Sequence, residues 1–450
     1  MSQHAFVSNA MLLKDAYKKV ERLCQPVIYG MVSRIIGLIV EGFLPGVAMG
    51  ELCEIYSHQT ERSVMAEVVG LRDGRALMIP LGISDGLMVG DSIRCLHQGS
   101  DVLVGDLLKG RVINALGQPL DGKPAPLLVD TMPLYAVPPS PLLRSRVNQK
   151  MSLGVRAIDG LMTVSKGMRM GIFAGSGVGK STLLGMALKN SQSDINVVAL
   201  VGERGREVSE FIEDILGKEG LDKSVVVVST SDRSPLERVR AAFYATTIAE
   251  YFRAQGKDVL LVLDSLTRLA MAQREIGLSI GEPPTSKGYT PTVFSMLPKL
   301  VERVCPLQGQ GSITGLYTVL VEGDDLNDPL SDAVKSLIDG HVVLSRSLAA
   351  KGHFPAIDVA ASLSRVMIDS VQKTHQQAAQ KIREIMSIAA EAQDLINLGA
   401  YSVGKNQKLD AALQKMEEIN LFLRQNREES VAYSHTIAFL EKLSGVKITV

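Results

Sequence analysis

The stretch "IFAGSGVGKSTLL" (residues 172–184) decides how the rest of the chain is read. An apolar run, "MRMGIFA" (168–174), leads into it, and a helical stretch, "STLLGMALKN" (181–190), leads out. Strand, glycine-rich turn, Gly-Lys-Ser and helix form a phosphate-binding loop in its confirming context. Gly175, Gly177 and Gly179 let successive backbone N–H groups face inward, and the helix N-terminus adds to that anion cradle. The cradle runs from Ala174 through Gly175, Ser176, Gly177, Val178, Gly179, Lys180 and Ser181 to Thr182. Lys180 can bridge the β- and γ-phosphates of ATP, and Ser181 can offer its hydroxyl to Mg²⁺. Thr182 is read as rotated away into helix packing. The usual motif opens on glycine. Ala174 is tolerated there because that position needs compactness more than an unusual dihedral.

Working outward, buried strand runs alternate with helical stretches from about 151 to 350, such as 234–255. Alternation of this kind argues for a parallel sheet covered by helices. In such a sheet the strand carboxyl ends face the ligand crevice. "VLLVLDSLTR" ends its strand in Asp264, placed to orient Mg²⁺ through water. "ALVGERGREVSEF" puts Glu203 just past another strand, as the candidate to polarise an attacking water. Arg204 beside it could meet the γ-phosphate. Glu207 and Glu210 read as helix surface charges.

The flanks are simpler. Residues 25–97 read as short strands forming a small barrel or sandwich, with a hairpin signal at Asp73-Gly74. A turn-rich connector covers 98–150, the nucleotide domain extends to 370, and 371–450 is a small helical domain. Residues 5–23, within an N-terminal segment 1–24, carry Val7, Met11, Leu13, Tyr17 and Val20 at helical spacing. That helix would either pack on its own barrel or dock a partner. The 450 residues suggest about three domains. Lys+Arg and Asp+Glu both total 48, so nothing calls for a nucleic-acid partner. The four cysteines are scattered without a CxxC pair, which argues against a disulfide frame and fits a cytoplasmic protein.

Three long strings make a resemblance specific: "GERGREVSEFIE" (202–213), "DSLTRLAMAQREIGLSIGEPPTSKGYTPTVF" (264–294) and "GSITGLYTVLVEGDDLNDPLSDAV" (311–334). They resemble the ATPase of type III protein export, which serves the flagellar exporter and the virulence injectisome and is related to the rotary ATP synthase subunits. "KGYTPTVF" (287–294) is closer to the flagellar branch, the injectisome branch more often carrying a second proline there. The resemblance implies an N-terminal β-barrel, an α/β RecA-like P-loop core and a C-terminal helical domain. It implies a cytoplasmic homohexamer at the inner-membrane export apparatus, with ATP at subunit interfaces. The implied partners are a coiled-coil central stalk, a regulatory or stator protein at the N-terminal helix, export gate membrane proteins, and export substrates with their chaperones.

The family's phosphate loop falls on Ala174 to Thr182, its catalytic glutamate on Glu203 and its metal-side aspartate on Asp264. The resemblance adds two residues. Phe354 falls where rotary relatives stack a tyrosine on adenine, and Arg365 falls on an arginine finger reaching the γ-phosphate of the neighbouring subunit. On their own residues these would read as a core side chain and a surface ion pair. Asp324, Asp325 and Asp328 sit in a loop that either faces a basic stalk or is simply solvated, and Lys287 would carry the charge of the hexamer pore. A rotary synthase subunit, a hexameric RNA translocase and a nucleotide-gated scaffold are the competing readings.

Overall fold

The computed structural model describes residues 28–449 apart from 83, 97–99, 322, 324, 326–327, 398–403 and 405. The amphipathic segment 5–23 and Asp324 therefore lie outside the described residues. The chain divides into two compact units, one reaching Asp101 and including Leu278–Gly281, the other Val102–Gly277 with Glu282–Val450.

The first unit is a closed barrel rather than a sandwich. Its strands are β1 (Tyr29–Ile36), β2 (Ile39–Phe43), β3 (Leu52–Ser57), β4 (Arg62–Arg72), β5 (Arg75–Leu81) and β6 (Ser92–Cys95), hydrogen-bonded in the order β1-β2-β5-β4-β3-β6. Asp73 and Gly74 join β4 to β5 with φ of 52° and 72°, the paired left-handed geometry of a tight hairpin turn. Val32, Ile55, Val68, Met78 and Ile93 fill the interior. Cys53 and Cys95, far apart in sequence, are register partners across β3 and β6, and both are buried thiols that form no disulfide. Burial, then the nearby Cys95 and Glu51, push the Cys53 thiol up to about 12.

In the second unit β7 (Asp101–Val104) pairs with β9 (Asp130–Pro133), and an eight-stranded sheet forms the centre. The sheet's members are β8 (Arg111–Asn114), β10 (Arg169–Ala174), β11 (Ile195–Val201), β12 (Ser224–Ser229), β13 (Asp258–Asp264), β14 (Ser312–Leu320), β15 (Gly340–Leu344) and β16 (Ile357–Ser364). Their order is β16-β15-β10-β14-β13-β11-β12-β8, parallel except for the β15–β16 pair. β8, β14 and β16 are the members that sequence patterning did not isolate, and of these β14 is the most fully buried. Gly315 and three threonine or serine residues interrupt its apolar run, yet it is buried along almost its whole length. The helix Pro235–Ala254 crosses β11, β12 and β13, its first turn capped by Ser234, which accepts from Glu237 N–H at 3.2 Å.

Three helices, Lys373–Asn397, Gln407–Leu423 and Tyr433–Ser444, end the chain. Ile382, Ile419, Phe422, Ile437 and Leu440 from them share one buried cluster with Leu161, Met162 and Ile172 of the sheet region. The helical end and the nucleotide domain thus pack on a common core. Arg156 fastens them: its guanidinium donates to Phe422 O at 2.9 Å and to Arg424 O and pairs with Glu429, while its backbone N–H meets Gln425 Oε1 at 2.9 Å.

Candidate active site

β10 ends on Ala174, still in the ladder between Leu320 and Leu344, with its carbonyl taken by Val321 N–H at 3.0 Å. A residue held on both sides needs little volume and no left-handed backbone, so alanine serves. The chain turns at Gly177 and Gly179, with φ of 79° and 92°, and enters the helix Lys180–Asn190. Val178 between them is buried and pins the turn. The first N–H groups of that helix have no intrahelical partner, so the loop presents a row of donors to an anion. Gly185 lets this helix approach the next one, since a Cβ there would sit 2.2 Å from Ile215 Cγ2.

Three sequence-predicted residues converge beneath the loop. Lys180 Nζ lies 2.5 Å from Asp264 Oδ1 and 3.3 Å from Glu203 Oε1. Asp264, the last residue of β13, is 2% exposed, and its Oδ1 also accepts from Thr318 Oγ1 at 2.7 Å. Burial pulls the Lys180 ammonium down, but the Asp264 and Glu203 carboxylates outweigh it and hold the lysine charged above its usual value. Burial pushes Glu203 up to about 7; Lys180 opposes this, and the charge of Asp264 adds to it. Glu203 can therefore take or give a proton near neutrality, as a group that handles an attacking water must.

Glu203 also hydrogen-bonds Glu207 four residues on, and that bond, with burial opposing it, holds the Glu207 carboxyl below its ordinary range. Glu207 is nevertheless a helix-surface charge as expected, 39% exposed and paired with Arg204, and it touches the cluster only through Glu203. Glu210 also lies on the surface, paired with Arg206 at 3.3 Å. Arg204 departs from expectation: its side chain is 77% exposed and pairs with Glu207 Oε1 at 3.4 Å, outside the group around Lys180. It begins the helix Gly205–Glu210, and its extended backbone turns the side chain out.

A cleft of about 520 Å³ opens beside the loop. Phe354, 46% exposed, borders it, with ring atoms 3.7 Å from where a Cβ on Gly179 would lie. Thr182 lines the same cleft and is exposed, so it is not packed into its helix as expected. The far wall is Arg424, Asn426 and Arg427, which follow the helix Gln407–Leu423. Sequence reading missed this wall because nothing local marks it. Gln425 holds it in place, its N–H donating to Phe354 O at 3.0 Å and its Nε2 to Gly154 O at 2.7 Å.

Arg365 lies elsewhere. Its N–H donates to Asp339 O at 2.9 Å, and Asp339 N–H donates to Arg169 O at 2.8 Å. Arg169 is the first of the six residues of β10, and the loop follows the last. At about 3.3 Å per residue, the two ends of β10 are roughly 17 Å apart. The exposed Arg365 side chain therefore starts a strand length from the loop of its own chain.

Comparison with known proteins agrees with this architecture. Residues 154–364 match the nucleotide-binding domain of the ATP synthase alpha/beta family, 32–97 its beta-barrel domain, and 371–442 the T3SS EscN ATPase C-terminal domain. The chain is 48% identical to the flagellum-specific ATP synthase of Bacillus subtilis, covering 96% of this chain and 97% of that one. The chain belongs to the type III export ATPases. The type 3 secretion system ATPase of Sinorhizobium fredii is 44% identical, with 96% of each chain covered. The assembled ATPase EscN of enteropathogenic E. coli superposes with a TM-score of 0.87 at 45% identity, covering 92% of this chain and 100% of that one. The same ATPase solved with its central stalk EscO gives a TM-score of 0.85.

Two surface loops of this export ATPase are joined by ion pairs. Asp328 is committed twice: it caps the helix Pro329–Leu337 through Leu330 N–H at 3.0 Å, and it meets Lys287 Nζ at 2.9 Å. Asp325 lies 3.7 Å from the same ammonium. One ammonium thus faces two carboxylates, so the group keeps a net negative charge. Among the described residues no cluster of three or more His, Cys, Asp or Glu could hold a metal unaided. The donors suited to a metal arriving on nucleotide are Asp264 Oδ2 and the Ser181 hydroxyl, neither of which makes a hydrogen bond among the described residues. No helix among those residues is long and apolar enough to cross a membrane.

Proposed function

We propose that this export ATPase hydrolyses Mg·ATP at sites shared between neighbouring copies in a ring of six, in the flagellar branch of the family. Loop amides from Gly175 to Gly179 and the Lys180 ammonium hold the phosphates. Ser181 and Asp264 would hold the metal, which when bound would supply charge neutralisation to the phosphates. Glu203 orients and polarises the attacking water, Phe354 and the Arg424–Arg427 wall receive the base, and Arg365 comes from the next copy. Export substrates, their chaperones, a central stalk, a stator protein and the membrane export gate are the partners in this reading, on the cytoplasmic side of the inner membrane.

The observation that carries it is the split geometry. Lys180, Asp264 and Glu203 converge within 3.3 Å at one end of β10, while Arg365 lies at the other. A head-to-tail contact repeated to closure brings one end to the other. The flagellar branch rests on the higher identity to the Bacillus protein and on "KGYTPTVF".

The test mixes two inactive proteins, Lys180→Ala and Arg365→Ala. In a randomly mixed ring about a quarter of interfaces pair an intact loop with an intact finger, so turnover should return to that order. Mixed rings, verified by cross-linking, that stay as inactive as either parent would refute the shared site.

A further inference from the structure

β14 stands between β10, which carries the loop, and β13, which ends in Asp264. Thr318 on β14 is fully buried. It stands between Tyr317 and Val319, and a central parallel strand ordinarily takes valine or isoleucine at such a position. A hydroxyl there is unfavourable unless it is hydrogen-bonded. Thr318 Oγ1 lies 2.7 Å from Asp264 Oδ1 and 3.3 Å from Leu263 O. A hydroxyl has one proton to give, and the shorter, charge-assisted bond to the carboxylate takes it.

Asp264 Oδ1 thus receives two donors, Thr318 and Lys180, while Oδ2 receives none among the described residues. The two donors differ in permanence. The Lys180 ammonium is on a flexible stem and will follow the phosphates when nucleotide arrives. The threonine is fixed in the sheet. We propose that Thr318 is a positioning residue for Asp264, holding Oδ1 throughout turnover so that Oδ2 stays aimed at the water shell of the metal. This rests on the reading of Asp264 as the metal-side carboxylate.

The test uses the full chain with Thr318→Val, which keeps the shape and removes the proton, and Thr318→Ser, which restores it. Affinity for a fluorescent N-methylanthraniloyl ADP is measured with Mg²⁺ and with EDTA. In Thr318→Val, affinity in EDTA should stay within about twofold of wild type, and the gain from Mg²⁺ should fall roughly tenfold, the low end for a hydrogen bond to a charged group. The Mg²⁺ concentration giving half-maximal ATPase rate should rise by a similar factor. Thr318→Ser should behave as wild type, and Thr318→Val should add nothing in an Asp264→Asn background. If valine disturbs β14, Thr318→Ala carries the same expectations. A wild-type Mg²⁺ gain in the variants, or equal loss with and without Mg²⁺, would overturn the proposal in favour of plain packing. A wild-type protein that binds nucleotide with no Mg²⁺ gain would overturn the reading of Asp264 and this proposal with it.

Discussion

Replacing Glu203 with glutamine should stop turnover and yet make the nucleotide-free protein more stable, by an amount that depends on pH. The side chain is only 14% exposed, and its carboxyl is raised from 4.5 to about 7 by burial first, with Asp264 adding to it. Between those two values the folded chain holds a proton that the unfolded chain has released. Stability from this group is fully present below about 4.5 and is lost as pH rises through about 7. The full shift corresponds to a ceiling of about 3 kcal/mol, and solvent access reduces the expectation to about 2 kcal/mol. Glutamine is a neutral near-copy of the protonated acid and can still donate to Glu207. At pH 5, just above the unfolded value, most of that difference is absent and the two proteins should melt within about 1 °C of each other. At pH 8 the variant should melt roughly 2–3 °C higher. The assay is thermal unfolding of nucleotide-free protein across pH 5 to 8, paired with phosphate release. A variant that melts lower at pH 8, or differs by the same amount at every pH, would refute the assignment of a buried, raised carboxyl at Glu203.

Other outcomes follow from the same geometry. Phe354→Ala should raise the KM for ATP roughly tenfold with little change in kcat, and Phe354→Tyr should keep both, because stacking needs only the aromatic face; steady-state kinetics decides. Arg156→Ala removes the guanidinium from Phe422 O, Arg424 O and Glu429, a local loss of about 2–4 kcal/mol. Hydrogen exchange in the helix Gln407–Leu423 should quicken by one to two orders of magnitude or more, and unchanged exchange there would show that the fastening lies elsewhere.

Sequence patterns exposed those parts of the site that sit at strand ends. Lys180, Glu203 and Asp264 each follow an apolar run, and a parallel sheet delivers such positions to one edge. β14 escaped because glycine and hydroxyl residues break its apolar signature, and Thr318 escaped with it. The wall at Arg424–Arg427 comes from more than 240 residues beyond the loop, and only the common core brings it there. Arg365 needed the family resemblance, since nothing in its own strand pattern marks it out.

The attachment of Arg365 has a mechanical meaning. Its backbone is bonded to Asp339, and Asp339 to the foot of the same strand whose top carries the phosphate loop. If copies close into the proposed ring, the same strand would join one copy's loop to the finger that serves its neighbour, so that a displacement at one interface would load β10 directly.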